Sequence, residues 1–100
     1  MARAPMRLEL SRRAEADLLD IRDYSVDQFG IDRAILYLDG IEDAFRLLID
    51  FPKTGSLHPT LTPSVRSMAC QRHRIFYVIE GDAVVIRRIL HSAMDAARHL

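Results

Sequence analysis

Two histidines, His73 and His91, and two arginines, Arg66 and Arg88, are the residues of this chain best placed to do chemistry. Imidazole titrates near neutral pH, so the histidines could act as an acid–base pair. Guanidinium groups could steady a developing negative charge. Neither histidine has a serine or cysteine nucleophile at a recognisable motif spacing. The four histidines, at 58, 73, 91 and 99, and Cys70 show no zinc-like spacing, so neither a metal nor another cofactor is expected. A simpler role for His91 is structural: it would cap the end of a strand and hydrogen-bond the tail that follows. Arg66 reads equally well as a structural ion pair or as a partner contact. Arg87 and Arg88 are adjacent in a strand-like run and so point to opposite faces. One of them would reach acids on a helix, leaving the other free for a partner. Cys70, the only cysteine, cannot form an internal disulfide and reads as a buried, unreactive thiol.

The elements that position these residues belong to one domain, residues 1–100. Hydrophobic residues make up 49% of the chain and charged residues 28%, which excludes a disordered chain. No window is apolar enough to span a membrane, and the start of the chain has no apolar core of signal-peptide length, so the expected location is the cytoplasm. The formal net charge of zero hides an asymmetry. Residues 1–51 hold 7 Arg against 11 Asp and Glu, and residues 52–100 hold 7 Lys and Arg against 3 acids. The basic half could face an acidic partner or nucleic acid. The pI of about 6.9 lies below the range of a dedicated nucleic-acid binder.

Periodicity sets out the elements. Arg7 to Leu10 alternates as a short strand, and Ser11 is a fitting helix N-cap. Ala14, Leu18, Ile21, Ser25 and Phe29 form one stripe of a helix that Gly30 ends. A second helix, Asp32 to Asp50, carries the stripe Ala34, Leu38, Ile41, Phe45 and Leu48. With so tight a connection the two form an antiparallel hairpin, and Gly40 is read as a point of close approach between them. Acids at 20, 23, 27, 39 and 43 form an outer, solvated face. Residues 53–64 have no periodicity and read as a surface loop after a fraying-prone N-terminus and the hairpin. Three apolar runs follow: Val65–Cys70, Ile75–Ile79 and Ala83–Leu90, the last two joined by a turn at Glu80-Gly81-Asp82. The middle run is apolar on both faces, as a central strand would be. The fold class is therefore α+β: a strand, a helical hairpin, then a three-stranded antiparallel meander covered on one face by the hairpin. The first strand is placed at an edge beside the last.

That layout, and an ordered series of motifs along it, resembles the ParE toxins of the RelE/ParE superfamily. Leu10-Ser11 with Ala14 and Asp17-Leu18 is similar to the family's opening. Ile21, Tyr24 and Phe29-Gly30 match its first helix, Ala34 and Tyr37 its second, and Phe51-Pro52 with Gly55 its Pro-x-x-Gly loop. Arg66, then His73 with Phe76-Tyr77, then Arg88, Leu90-His91 and Met94-Asp95 complete the series. Gln71 stands where relatives usually have Gly, while Val78 and Ala93 replace frequent arginines.

The resemblance implies the toxin of a type II toxin–antitoxin system, held silent in a hetero-oligomer by a ParD-like antitoxin whose C-terminal segment wraps it. Freed, such a toxin poisons DNA gyrase by binding, without bond-making chemistry, and reaches DNA otherwise only through the antitoxin. Target or partner contacts would come from Arg66, His73, Arg88, His91, Met94 and Asp95. The antitoxin groove would lie between hairpin and sheet, at Tyr37, Phe45, Leu48 and Phe51 near the loop. The RelE branch offers the rival activity, ribosome-dependent mRNA cleavage. It is disfavoured because the only lysine, Lys53, is in the loop and no tyrosine follows His91. A third alternative is a degenerate antitoxin-binding module without toxicity.

Overall fold

The computed structural model describes residues 6–61 and 64–100. Residues 1–5, where the sequence reading expects fraying, and Thr62 and Pro63, read as part of the loop, lie outside the described residues. Strand β1 (Arg7–Leu10) leads into helices α1 (Arg12–Phe29) and α2 (Ile31–Asp50), then strands β2 (Ser56–His58), β3 (Val65–Cys70), β4 (His73–Glu80) and β5 (Ala83–His91), and a last turn of helix, α3 (Ala96–His99). The sheet order is β1-β5-β4-β3-β2, with β1 parallel to β5 and the rest antiparallel. The first strand thus sits at the edge beside the last, as expected.

Local chemistry explains the joints. Ser11 Oγ accepts from Ala14 N at 3.1 Å and donates to the Arg87 carbonyl at 2.8 Å, so one hydroxyl both caps α1 and ties it to β5. Gly30 ends α1 and starts α2 at φ 85°, a region costly for residues with a Cβ. Both tight hairpins, Gln71-Arg72 and Gly81-Asp82, have positive φ only at their first residue, 57° and 59°, as type II′ turns do. At that φ a glycine would be unstrained, and Gln71 holds the position here instead.

The hairpin covers one face of the sheet, and Ile41, Leu48, Ile75, Tyr77 and Ile86 are enclosed between the layers. On the other face Val65, Phe76, Val78 and Leu90 form a smaller cluster, with Leu61, Ala96 and Leu100 against it. Strand β4 is thereby buried on both sides, in agreement with its two-faced apolar run.

Four features differ from the sequence reading. The meander has four strands, because β2 forms inside the segment read as a loop. The tail folds into α3, capped by Asp95. Strand β4 begins at His73 rather than Ile75. Gly40 makes room for the β3–β4 turn, not for α1: a Cβ there would lie 2.6 Å from Gln71 Nε2.

Candidate functional site

The described residues enclose a cleft of about 700 Å³ at the end of the molecule where the helical hairpin meets the β3–β4 turn and the end of β5. Tyr24 and Phe29 of α1 and Leu36 of α2 line its walls together with Met94 of the tail. All four are largely exposed, at 62%, 49%, 69% and 41%. His73 and His91 sit directly opposite each other on β4 and β5 and line the same cleft, their rings 5.5 Å apart in a T-shape. Arg33, Arg72 and Asp20 add charge to the lining.

A hydrogen-bond chain fixes this end of the sheet. The Arg72 backbone N–H donates to Tyr37 Oη at 3.0 Å, and Tyr37 Oη lies 2.5 Å from His73 Nδ1. Gln71 Nε2 donates to the Tyr37 carbonyl at 2.8 Å. His91 Nδ1 accepts from Ala93 N at 3.2 Å, and its carbonyl accepts from Met94 N, so His91 does end its strand and hold the tail. Burial and the neighbouring His91 hold His73 below its ordinary value, against a smaller opposing pull from Asp17. Burial likewise pushes up the Tyr37 hydroxyl and the Cys70 thiol, so both stay protonated at neutral pH.

Of the other sequence candidates Arg88 also lines the cleft, whereas Arg66 and Asp95 do not. Arg88 makes a two-pronged ion pair with Asp17, Nε to Oδ2 at 2.8 Å and Nη2 to Oδ1 at 2.9 Å, and its Nη1 donates to the His99 carbonyl at 2.6 Å. It is the arginine that reaches a helix acid, and it is committed to structure. Arg87 occupies the β-bulge beside it, unpaired in the ladder. Arg66 donates to the Lys53 and Gly55 carbonyls, tying down the loop after α2 rather than pairing with an acid. Asp95 is engaged as the cap of α3, its Oδ1 accepting from Ala97 N.

The residues read as an antitoxin groove are not brought together on the surface. Phe45 is 6% exposed and Leu48 fully enclosed, so both belong to the core and offer nothing to a partner. Phe51 is exposed but does not line the cleft, and only Tyr37 of that set does. The heptad-like stripe that named Phe45 and Leu48 is what buries them. Asp17 was not singled out as a site residue, although it is 9% exposed and holds the edge of β5. Strand β1 pairs with β5 only as far as Ile86, and Asp17 Oδ2 accepts the Ile89 N–H beyond that point, at 2.9 Å. Its place in the i, i+4 register with Ile21 and Ser25 was the available signal. Tyr24, Leu36 and Arg33 as cleft residues lack any such signal, because only the fold brings them together.

The family model for the "ParE toxin of type II toxin-antitoxin system, parDE" matches residues 8–96, from β1 into α3. The chain belongs to the ParE toxin family. Toxin ParE1 of Caulobacter vibrioides is 36% identical over 91 residues, covering 91% of this chain and 94% of its own length. Toxin ParE1 of Mycobacterium tuberculosis is 32% identical over 92 residues, at the same coverage. A solved structure of a chromosomal ParDE TA system from P. aeruginosa superposes with a TM-score of 0.74 at 26% identity, covering 86% of this chain and 95% of that one. The ordered motifs that resembled ParE toxins therefore reflect membership, and the α+β architecture is that of a ParE-family structure. Among the described residues of this ParE toxin, no helix is long and apolar enough to cross a membrane.

Proposed function

We propose that this ParE-family chain is the toxin half of a type II pair, that a ParD-like antitoxin silences it by seating a segment in the cleft, and that the free toxin arrests replication by binding DNA gyrase. The observation that carries the partner reading is the cleft itself. Four large apolar side chains, Tyr24, Phe29, Leu36 and Met94, are left open around one concavity of a small monomer, as a surface built for a partner would be. The pair acts in the cytoplasm as a hetero-oligomer, and the toxin reaches the operator DNA only through its antitoxin.

Binding rather than catalysis is supported by what holds Arg66 and Arg88, the two arginines that the sequence offered for such chemistry. RNA cleavage requires groups free to move a proton and cations free to meet a phosphorane. Arg88 is held by Asp17 and the tail, and Arg66 by two loop carbonyls. Of His73, Nδ1 is occupied by Tyr37.

The test is controlled expression with and without the small gene immediately upstream, scoring growth, gyrase-dependent DNA breaks and mRNA cleavage together. Arrest with trapped gyrase breaks, relieved by the neighbour, is the expected result. Arrest with cleaved mRNA and intact DNA overturns the gyrase reading in favour of an RNase. Retained antitoxin binding without arrest would mark a module that has lost toxicity.

A further inference from the structure

The cleft floor carries a specific donor pattern. Tyr37 Oη already accepts the Arg72 N–H, and among the described residues its single proton has one acceptor, His73 Nδ1. Neutral His73 therefore carries its own proton on Nε2. His91 Nδ1 accepts from a backbone N–H, so its ring proton is on Nε2 as well. No Nε2 partner exists for either ring among the described residues, yet no half-buried side-chain nitrogen there is both sealed from solvent and unpaired. His73 Nε2 is thus open to the cleft that the residue lines, and His91 is exposed.

The charges facing these rings favour an anion. From α1 come Asp17, neutralised by Arg88 of β5, and the open carboxylate of Asp20. Helix α2 contributes Arg33 and the Tyr37 hydroxyl, and the β3–β4 turn contributes Arg72. Cys70, opposite His73 on β3, is a buried thiol 3.7 Å from the Gly40 carbonyl. Neither Arg33 nor Arg72 is in an ion pair among the described residues, so two open cations stand against one open carboxylate.

We propose that the cleft receives an acidic, apolar-flanked peptide segment, which sets a carboxylate on the Nε2–H groups of His73 and His91 and large apolar side chains against Tyr24, Phe29, Leu36 and Met94. This rests on the reading of the cleft as the antitoxin's seat and names the chemistry of the segment that enters it. A nucleic-acid strand would bring the anion but leave the apolar walls wet, so a peptide is the better match.

The consequence is a proton count of definite sign. A carboxylate beside an imidazole stabilises its charged form, so binding takes up protons near neutral pH and affinity rises as pH falls. Each imidazole whose pKa rises by one unit on binding adds up to about tenfold as pH falls through its free and bound values. An apolar occupant would do the reverse, because burying the rings without a counter-charge expels protons.

Two measurements test this. Calorimetry of the full chain with the antitoxin encoded by the upstream gene, in buffers of different ionisation enthalpy, reads proton uptake directly. Nitrogen-15 NMR of the free chain, titrated with hexanoate and with hexanamide, reads the site without the antitoxin. The expected results are uptake on complex formation, reduced in His91→Gln, which keeps an N–H donor but cannot titrate, and imidazole shifts with hexanoate alone. A complex that forms with no uptake or with release overturns the proposal. So do equal responses to hexanoate and hexanamide, no response to either, or a single-stranded oligonucleotide that shifts the same signals. Response to hexanoate with no antitoxin complex upholds the chemistry of the cleft and removes the antitoxin as its occupant.

Discussion

Asp17 takes three donors at once: two nitrogens of Arg88 and the Ile89 N–H. Both side chains of the pair are nearly buried, at 11% and 13% exposure, so removing one charge strands the other where water cannot reach it well. Asp17→Asn is expected to cost about 3 kcal/mol in urea unfolding. Arg88→Met in the Asp17→Asn background should add much less than it costs alone, and simple additivity would contradict the pairing. His73 gives a pH dependence. Its folded pKa lies below the ordinary 6.5, so the unfolded chain binds the extra proton first. The stability tied to neutral His73 is thus fully present above about pH 6.5 and declines as pH falls below it. Thermal melts between pH 7 and 5 should show this slope, and His73→Gln should flatten it. At this scale the sequence was only half informative. Residue types named His73, Arg88, His91 and Met94, which line the cleft together. They did not tell that Arg66 and Arg88 are tied inside the protein, since a charged side chain looks alike on paper whether it meets a partner or the protein's own carbonyls.

The segment after α2 shows how an element can be held by contacts remote in sequence. Tyr77 Oη donates to the Pro52 carbonyl at 2.6 Å and accepts from Gly55 N at 2.9 Å, both in the interior. Tyr77→Phe leaves two buried backbone groups unpaired and is expected to cost about 1–3 kcal/mol for each. Earlier proteolysis within residues 52–58 should accompany the loss. Gly55→Ala should be worse than Gly81→Ala. A Cβ at Gly55 would sit 2.5 Å from Tyr77 Oη and 2.9 Å from the Ser67 carbonyl, whereas Gly81 faces open space and suffers only from its positive φ, about 1–2 kcal/mol. The reverse order in chemical denaturation would refute this account. Long elements were legible because a helix of eighteen or twenty residues repeats its stripe several times. Strand β2 has three residues and α3 four, too few for any period to register. They exist because of what they meet: β2 pairs with β3 and sets His58 Nε2 2.6 Å from Ser67 Oγ, and α3 lays Ala96 on the far face of the sheet.

Across the whole molecule, the sheet is a partition with unequal covers. The hairpin supplies the thick one, and the tail with Leu61 supplies the thin one over Phe76, Val78 and Leu90. Ending the chain before Ala96 would bare that cluster and remove the carbonyl that holds Arg88 Nη1. A lower urea midpoint and new binding of a hydrophobic dye are expected, and an unchanged midpoint would show the thin cover to be dispensable. The layer order was readable from the alternation of elements, while the cleft was not, because its walls come from four separate stretches of chain. That dispersal bears on how the protein is born. Among the described residues strand β1 pairs only with residues 83–86, and the cleft is completed by His91 and Met94. During synthesis the first strand and the helical hairpin emerge before the strands they pack on, and ribosomes add only about 5–20 residues per second. For the seconds before residues 83–94 arrive, the nascent chain has neither a finished sheet nor a finished cleft, so it can offer that cleft to no partner until they do.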